Sequence, residues 1–189
     1  MLRKLLSVFA LLTTLASTQA FADEYSQTIA EFKSAPETAK MFSSAHAYAV
    51  FPTIGKGGIG IGGAHGKGKV FVNGKSIGES KMSQISIGLQ LGGQAYSQII
   101  FFENQAALNQ FTSGNFEFSA GASAIAITAS AQAQAGTTGS SAGAGASADK
   151  GKQATINYNN GMAIVTMGKG GLMYEASIAG QKYSFKAKK

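Results

Sequence analysis

The chain has 189 residues, among them 25 glycines, 2 prolines and no cysteine, and its formal net charge is +7. Without cysteine, a disulfide framework, a thiol nucleophile and a thiolate metal site are excluded. The positive charge favours anionic partners such as lipid head groups, acidic polysaccharide or nucleic acid. Abundant glycine with little proline is typical of a tightly turning β protein and not of a proline-rich linker.

The first 22 residues have the pattern of a secretory signal peptide. Arg3 and Lys4 are followed by an apolar segment over residues 5–15, and Ala20-Phe21-Ala22 fits the small-x-small rule for cleavage after Ala22. We therefore expect an exported protein, periplasmic or secreted; the alternative is an uncleaved anchor. Removal of 22 of the 189 residues leaves 167 with a net charge of +5, enough for a single domain over residues 23–189.

Two short helices are predicted between residues 24 and 45. Tyr25, Ile29 and Phe32 form one apolar stripe at helical spacing, and Pro36 separates this helix from the next. The segment carries at least as many acidic as basic side chains, three against two, which favours helices that cover a sheet over a helix that lies on a membrane surface.

Residues 47–103 alternate between apolar and small or polar residues with the period of a β-strand. Asn73-Gly74 is a strong turn signal, and His65-Gly66 is a weaker one. Repeated glycine within strands indicates a bend, a bulge or a close approach by another group. The predicted strands are Ala47–Phe51, Gly58–Ala64, Lys69–Val72, Ser83–Leu91 and Gln94–Glu103.

The remainder of the chain predicts one internal helix and further strands. Asn104 is placed to cap a helix over Gln105–Phe111. A Gly/Ala/Ser segment over residues 136–152 predicts a mobile loop. The further strands are predicted over residues 116–134, 154–158, 162–167, 172–178 and 182–185. The fold class predicted is β-rich α+β, an antiparallel barrel-like or sandwich sheet with short N-terminal helices and one internal helix.

No motif for catalysis, metal binding or a cofactor stands out. Residues 58–63 formally match G-x-G-x-x-G, but the strand alternation continues where a dinucleotide site requires a helix to begin. His46 and His65 lack metal-ligand spacing, the β region has no close acidic pair, and no G-x-S-x-G elbow occurs. We therefore expect no enzyme, no cofactor and no metal. An outer-membrane barrel and an adhesive or amyloid-like protein are further alternatives, although the chain ends in lysines without an aromatic girdle strand.

Five lysines lie among the predicted strands and turns: Lys56, Lys67, Lys69, Lys75 and Lys81. Lys67 and Lys69 are two residues apart, so in an extended segment they project to one side. The others would join them if their turns shared one end of a barrel. Near an anionic bilayer each lysine contributes about 1 kcal/mol. The lysines thus form either a membrane site or a solubilising rim of turns.

Three blocks of the sequence resemble the SYLF domain, the lipid-binding domain of yeast and animal endocytic proteins that also regulate actin. The first is Ala47–Pro52 with the glycine-rich Ile54–Gly63 and Gly66–Val70; the second is Ile87–Gln94 with Ile99–Phe102; the third is Gly161–Ser177. The resemblance implies non-catalytic binding of anionic phospholipid, phosphoinositides in eukaryotic members. The tryptophan common in eukaryotic members is absent here, and an exported protein would not meet cytosolic actin.

The sequence and the resemblance together predict an exported lipid-binding protein that recognises anionic phospholipid head groups. The five lysines would contact phosphates, and glycine-rich backbone would let amides approach the head group at Gly57, Gly58, Gly60, Gly62 and Gly63. The alternative is a structural or interaction protein of the cell envelope, with a protein partner and no lipid site. No nucleic-acid partner is expected.

Overall fold

A computed structural model describes residues 24–88, 93–118, 125–127, 156–169, 178 and 180–189. The predicted signal peptide, the predicted loop over 136–152 and nearly all of the predicted strand over 172–178 lie outside this part of the chain. The elements are α1 (24–34), α2 (Pro36–Ser44), β1 (Ala47–Val72), β2 (Lys75–Gly88), β3 (Gln94–Phe102), α3 (Gln105–Thr112), β4 (Asn115–Glu117), β5 (Ile125–Ile127), β6 (Met162–Lys169) and β7 (Lys182–Ala187).

The seven strands form one sheet in the order β4-β7-β2-β1-β3-β6-β5. Neighbours pair antiparallel except β5 and β6, which are parallel. Together with the three helices, this confirms the predicted β-rich α+β class. Within the described residues no pairing joins the outer strands β4 and β5, so the sheet is open there.

The sheet nevertheless curls strongly, as side chains from distant strands show. Gln98 of β3 and Tyr183 of β7 are separated in the sheet by β1 and β2, which would place them about 14 Å apart in a flat sheet. Yet the Gln98 Nε2 atom donates to the Tyr183 hydroxyl at 2.7 Å. The curl encloses an interior of apolar and aromatic side chains, with the buried Gln98, Gln181, Tyr96 and Tyr183 hydrogen-bonded at its centre.

Strand β1 runs through three predicted strands and one predicted turn without interruption. It pairs with β3 up to Lys56 and with β2 from Gly60, and Gly58, with a φ of 149°, lies at the change of partner. The turn predicted at His65-Gly66 is wrong. A Cβ atom on Gly68 would lie 2.6 Å from the Phe51 ring and 2.8 Å from the Val50 carbonyl oxygen, so the strand's two halves cross in close contact. Glycine here permits packing and does not mark a turn.

Short-range signals were better guides than long runs. Asn73-Gly74 has the positive φ values that tight turns require, and the Asn104 side chain caps α3 by accepting from the Ala107 amide at 3.0 Å. The single strand predicted over 116–134 is wrong, because β4 and β5 lie at opposite ends of the sheet order. Residues 156–158, the described part of the strand predicted over 154–158, are not in a strand.

Candidate lipid-binding surface

The outer face of the curled sheet has two halves, and α1 and α2 cover one of them. Phe32 of α1 is fully buried there, and the Phe42 ring of α2 packs edge-on against Phe101 of β3 at 5.0 Å between centroids. The Glu24 carboxylate accepts from the Thr53 hydroxyl at 2.8 Å and lies 3.9 Å from the Lys169 ammonium, which fixes the start of α1 to β1 and β6. We call this the covered half.

The second half of β1, with β2 and β7, presents its outward positions without a helix above them. Strand register places Lys67 opposite Lys81, and Lys81 opposite Ser184. It also places Lys69 opposite Glu79, and Glu79 opposite Lys186. We call these outward lysines the lysine face: Lys67, Lys69, Lys81, Lys182 and Lys186.

The lysine face carries an excess of positive charge at close spacing. Directly opposite side chains on antiparallel strands have Cβ atoms about 5 Å apart, so Lys67 and Lys81 repel each other and destabilise the pair. Two carboxylates share the surface: Glu79, and Glu117 of β4, which lies 3.6 Å from the Lys182 ammonium. Five lysines against two glutamates leave the surface attractive to an anionic partner.

Tyr25 of α1 marks the boundary between the two halves. The Lys69 ammonium lies 4.6 Å from the centroid of its ring, a cation–π contact. Burial, with the carboxylates of Glu79 and Glu24 nearby, raises the pKa of Tyr25 to about 12. This lysine therefore has a partner within the protein, whereas no ion pair of Lys67 or Lys81 occurs among the described residues.

An exposed apolar side chain lies beyond the lysine rows. Ile85 of β2 is 80 % exposed, and its cross-strand neighbour is Gly63, which has no side chain to cover it. By strand alternation Ile85 projects from the same face as Lys81 and Ser83. The surface thus combines cationic side chains with one apolar contact at its end.

The structure brings together three of the five predicted lysines and places two elsewhere. Lys56 follows the buried Ile54 by two residues, so strand alternation places it on the interior side of β1. Lys75 lies opposite Val72, which packs against the interior cluster. The predicted glycines lie where β1 changes partner: Gly57 and Gly58 at the bend, and Gly60, Gly62 and Gly63 paired with β2.

Sequence reasoning missed Lys182 and Lys186. Both alternate with Tyr183 and Phe185, whose aromatic side chains pack toward the interior, so the period of β7 was the available signal. Their adjacency to Lys81 and Glu79 required the pairing of β7 with β2, which no local pattern specifies.

The described residues offer few elements of catalytic or metal chemistry. No group of three His, Cys, Asp or Glu side chains among them is placed to hold a metal ion. His46 Nε2 is engaged with the Gln105 side-chain oxygen at 2.9 Å. Burial raises the pKa of Tyr183 well above 10, so that hydroxyl stays neutral. No helix in the described ranges is long and apolar enough to cross a bilayer.

Comparison with known proteins identifies the family that the sequence matches. A family model named Ysc84 and described as "Las17-binding protein actin regulator" matches residues 83–188. Beta cell expansion factor A of Aeromonas veronii is 30 % identical over 154 residues, which cover 80 % of this chain and 50 % of that protein. The chain therefore spans half the length of this curated relative.

Proposed function

The chain belongs to the Ysc84 (SYLF) family, and from this premise we propose that it is a non-catalytic protein that binds bilayers containing anionic phospholipid. SYLF domains are binding domains with lipid-binding or actin-regulator-like roles. We further propose that this chain acts outside the cytosol, as the pattern of its first 22 residues predicts.

The observation that carries the proposal is the placement of Lys67 opposite Lys81 on an uncovered sheet face. Two like charges at this spacing cost folding stability, and a layer of phosphates would offset their repulsion. Each lysine near an acidic bilayer contributes about 1 kcal/mol, and the attraction decays over about 8 Å at physiological salt. Ile85 would enter the acyl boundary and add an apolar contribution that salt does not screen.

The test is co-sedimentation of the chain without its predicted signal peptide, residues 23–189, with phosphatidylcholine vesicles, with and without phosphatidylglycerol, at low and high salt. We expect binding only to the acidic vesicles, weakened by salt, and at least tenfold weaker for Lys67→Glu/Lys81→Glu. Lys40→Glu/Lys75→Glu is the matched control, because it makes the same change in charge at exposed lysines outside the lysine face.

Equal loss in both double variants would reduce the effect to net charge and contradict a defined face. Absence of vesicle binding by the unaltered chain would sink the lipid proposal. It would favour the alternative, an interaction protein of the cell envelope, which a pull-down with the same variants would then address.

A further inference from the structure

The interior of the curled sheet contains polar side chains whose hydrogen-bonding capacity is only partly used. Gln98 of β3 and Thr166 of β6 are directly opposite each other in the strand register, and both are fully buried. Neither the Gln98 Oε1 atom nor the Thr166 Oγ1 atom has a hydrogen-bond partner among the described residues. Native interiors rarely leave such atoms without a partner. We propose that a water molecule is bound inside the sheet and bridges Gln98 to Thr166, a site that does not depend on lipid binding.

The other hydrogen bonds of Gln98 fix the orientation of its amide. Its Nε2 atom donates to the Tyr183 hydroxyl at 2.7 Å and to the Gln181 Oε1 atom at 3.2 Å, so both amide protons are used. Turning the amide over would place its oxygen against the Gln181 oxygen, and neither of these two atoms could donate. The Gln98 Oε1 atom is therefore an acceptor that still requires a donor.

Tyr96 supplies a third polar group beside this pair. It lies two residues before Gln98, on the same side of β3, and its hydroxyl accepts from the Gln181 Nε2 atom at 3.1 Å. Burial raises the pKa of Tyr96 to about 12, so at neutral pH the hydroxyl keeps its own proton, and no described residue accepts it. Opposite Tyr96 lies Gly168, which has no side chain to fill the space beside Thr166. Three groups are thus available, and a buried water typically makes about three hydrogen bonds.

The chemistry of the site selects water over an ion or a larger molecule. The buried polar side chains among the described residues are all neutral, and an ion without an opposite charge is far more costly to bury than water. Gln98 and Thr166 are fully buried and Tyr96 nearly so, which excludes a large ligand. The water would connect β6 to β3 and, through Gln98 and Tyr183, to β7, so it would help to hold the sheet in its curled form.

The first experiment locates the water directly, in high-resolution crystal structures of residues 23–189 and of two variants. We expect a density peak within about 3.2 Å of both the Gln98 Oε1 atom and the Thr166 Oγ1 atom. Thr166→Ser, which keeps the hydroxyl, should retain the peak, and Thr166→Val, which removes it, should lose the peak.

The second experiment uses the sign of a stability change. Valine has nearly the shape of threonine without the hydroxyl, so removing a hydroxyl that binds nothing should raise the melting temperature. If Thr166 instead holds the bridging water, Thr166→Val leaves the Gln98 oxygen without a donor, and the melting temperature should fall by about 4 °C. Ser80→Ala is the matched control. The Ser80 Oγ atom is also buried without a partner among the described residues, but the residues opposite it, Gly68 and Phe185, have no polar side chain. Its melting temperature should not fall.

Three results would overturn the proposal: no density between Gln98 and Thr166 in the unaltered chain, density there with the short contacts of a metal cation, or a higher melting temperature for Thr166→Val. Thr166→Ser keeps the test valid if valine disturbs the fold, because the serine variant should still show the water. None of these measurements involves vesicles, so the water site and the proposed lipid binding are tested independently of each other.

Discussion

The covered half and the lysine face are two parts of one curved sheet surface with opposite chemistry. Outward positions under α1 and α2 are Val50, Ile99 and Phe101, all fully buried, whereas outward positions of β1, β2 and β7 beyond the helices include the five lysines of the lysine face. The strand alternation is the same in both. What differs is the presence of a helix above the sheet, so the uncovered half keeps charged side chains at its surface. Lys69 and Lys182 have partners in Tyr25 and Glu117, whereas Lys67 and Lys81 form no ion pair within the described residues.

Truncation of an outward side chain should have very different consequences in the two halves. Phe101→Ala in the covered half removes a buried ring that packs on Phe42, and we expect a loss of about 3–5 kcal/mol in the free energy of unfolding. Lys67→Ala, also outward-facing, should change it by no more than about 0.5 kcal/mol. Urea denaturation measures both, and similar losses would contradict the division into two halves.

The crossing within β1, which carries the strand from the covered half to the lysine face, should be sensitive to a single methyl group. Gly68→Ala places a Cβ against the Phe51 ring and the Val50 carbonyl, and we expect a loss of about 1–3 kcal/mol. Gly55→Ala in the same strand is the control, because nothing lies within 4 Å of its added Cβ. A Gly68→Ala protein as stable as the control would show that the crossing accommodates side chains.

Alkaline pH should lower the stability of the fold through two tyrosines, one at the boundary between the two halves and one in the interior. The pKa values of Tyr25 and Tyr96 are raised by burial to about 12, against about 10 for an unfolded chain. The folded state therefore holds these protons when the unfolded state has released them, so their contribution to stability is intact below pH 10 and is lost as the pH rises toward 12. Thermal melts with tyrosinate absorbance measure this, and a melting temperature unchanged between pH 10 and pH 12 would contradict it.

Charge reversal on the lysine face should change stability only slightly, and it should raise the free energy of unfolding where the other changes lower it. Lys81→Glu replaces a repulsive cross-strand pair with an attractive one opposite Lys67, so the free energy of unfolding should rise by about 0.2–1 kcal/mol while acidic vesicle binding falls. Measured together, the two quantities separate loss of function from loss of fold. A decrease in both would mean that Lys81 stabilises the sheet.

Long strands limited what could be predicted from local patterns. Alternation places Lys67 and Lys69 on one side correctly, but it cannot tell a bend such as that at Gly58 from a turn. Judged from neighbouring residues alone, the glycines at positions 66 and 68 indicate a turn. In the structure they instead permit contacts with Ile54 and Phe51 of the same strand, which lie 12 or more residues away in sequence. A contact between residues so far apart in sequence produces no periodic pattern from which it could be predicted.

The sequence by itself determined the family, through the three blocks that resemble it. It also determined the β-rich α+β class, the Asn73-Gly74 turn and the Asn104 cap, because alternation, turn conformation and capping act between near neighbours. Tertiary structure alone decided which strands meet. It placed β7 beside β2, so that Lys182 and Lys186 join Lys67 and Lys81, and it excluded Lys56 and Lys75 by turning them to the other side. Pairing between strands distant in sequence depends on the burial of the whole sheet, and a surface assembled from such strands exists only once the sheet has formed.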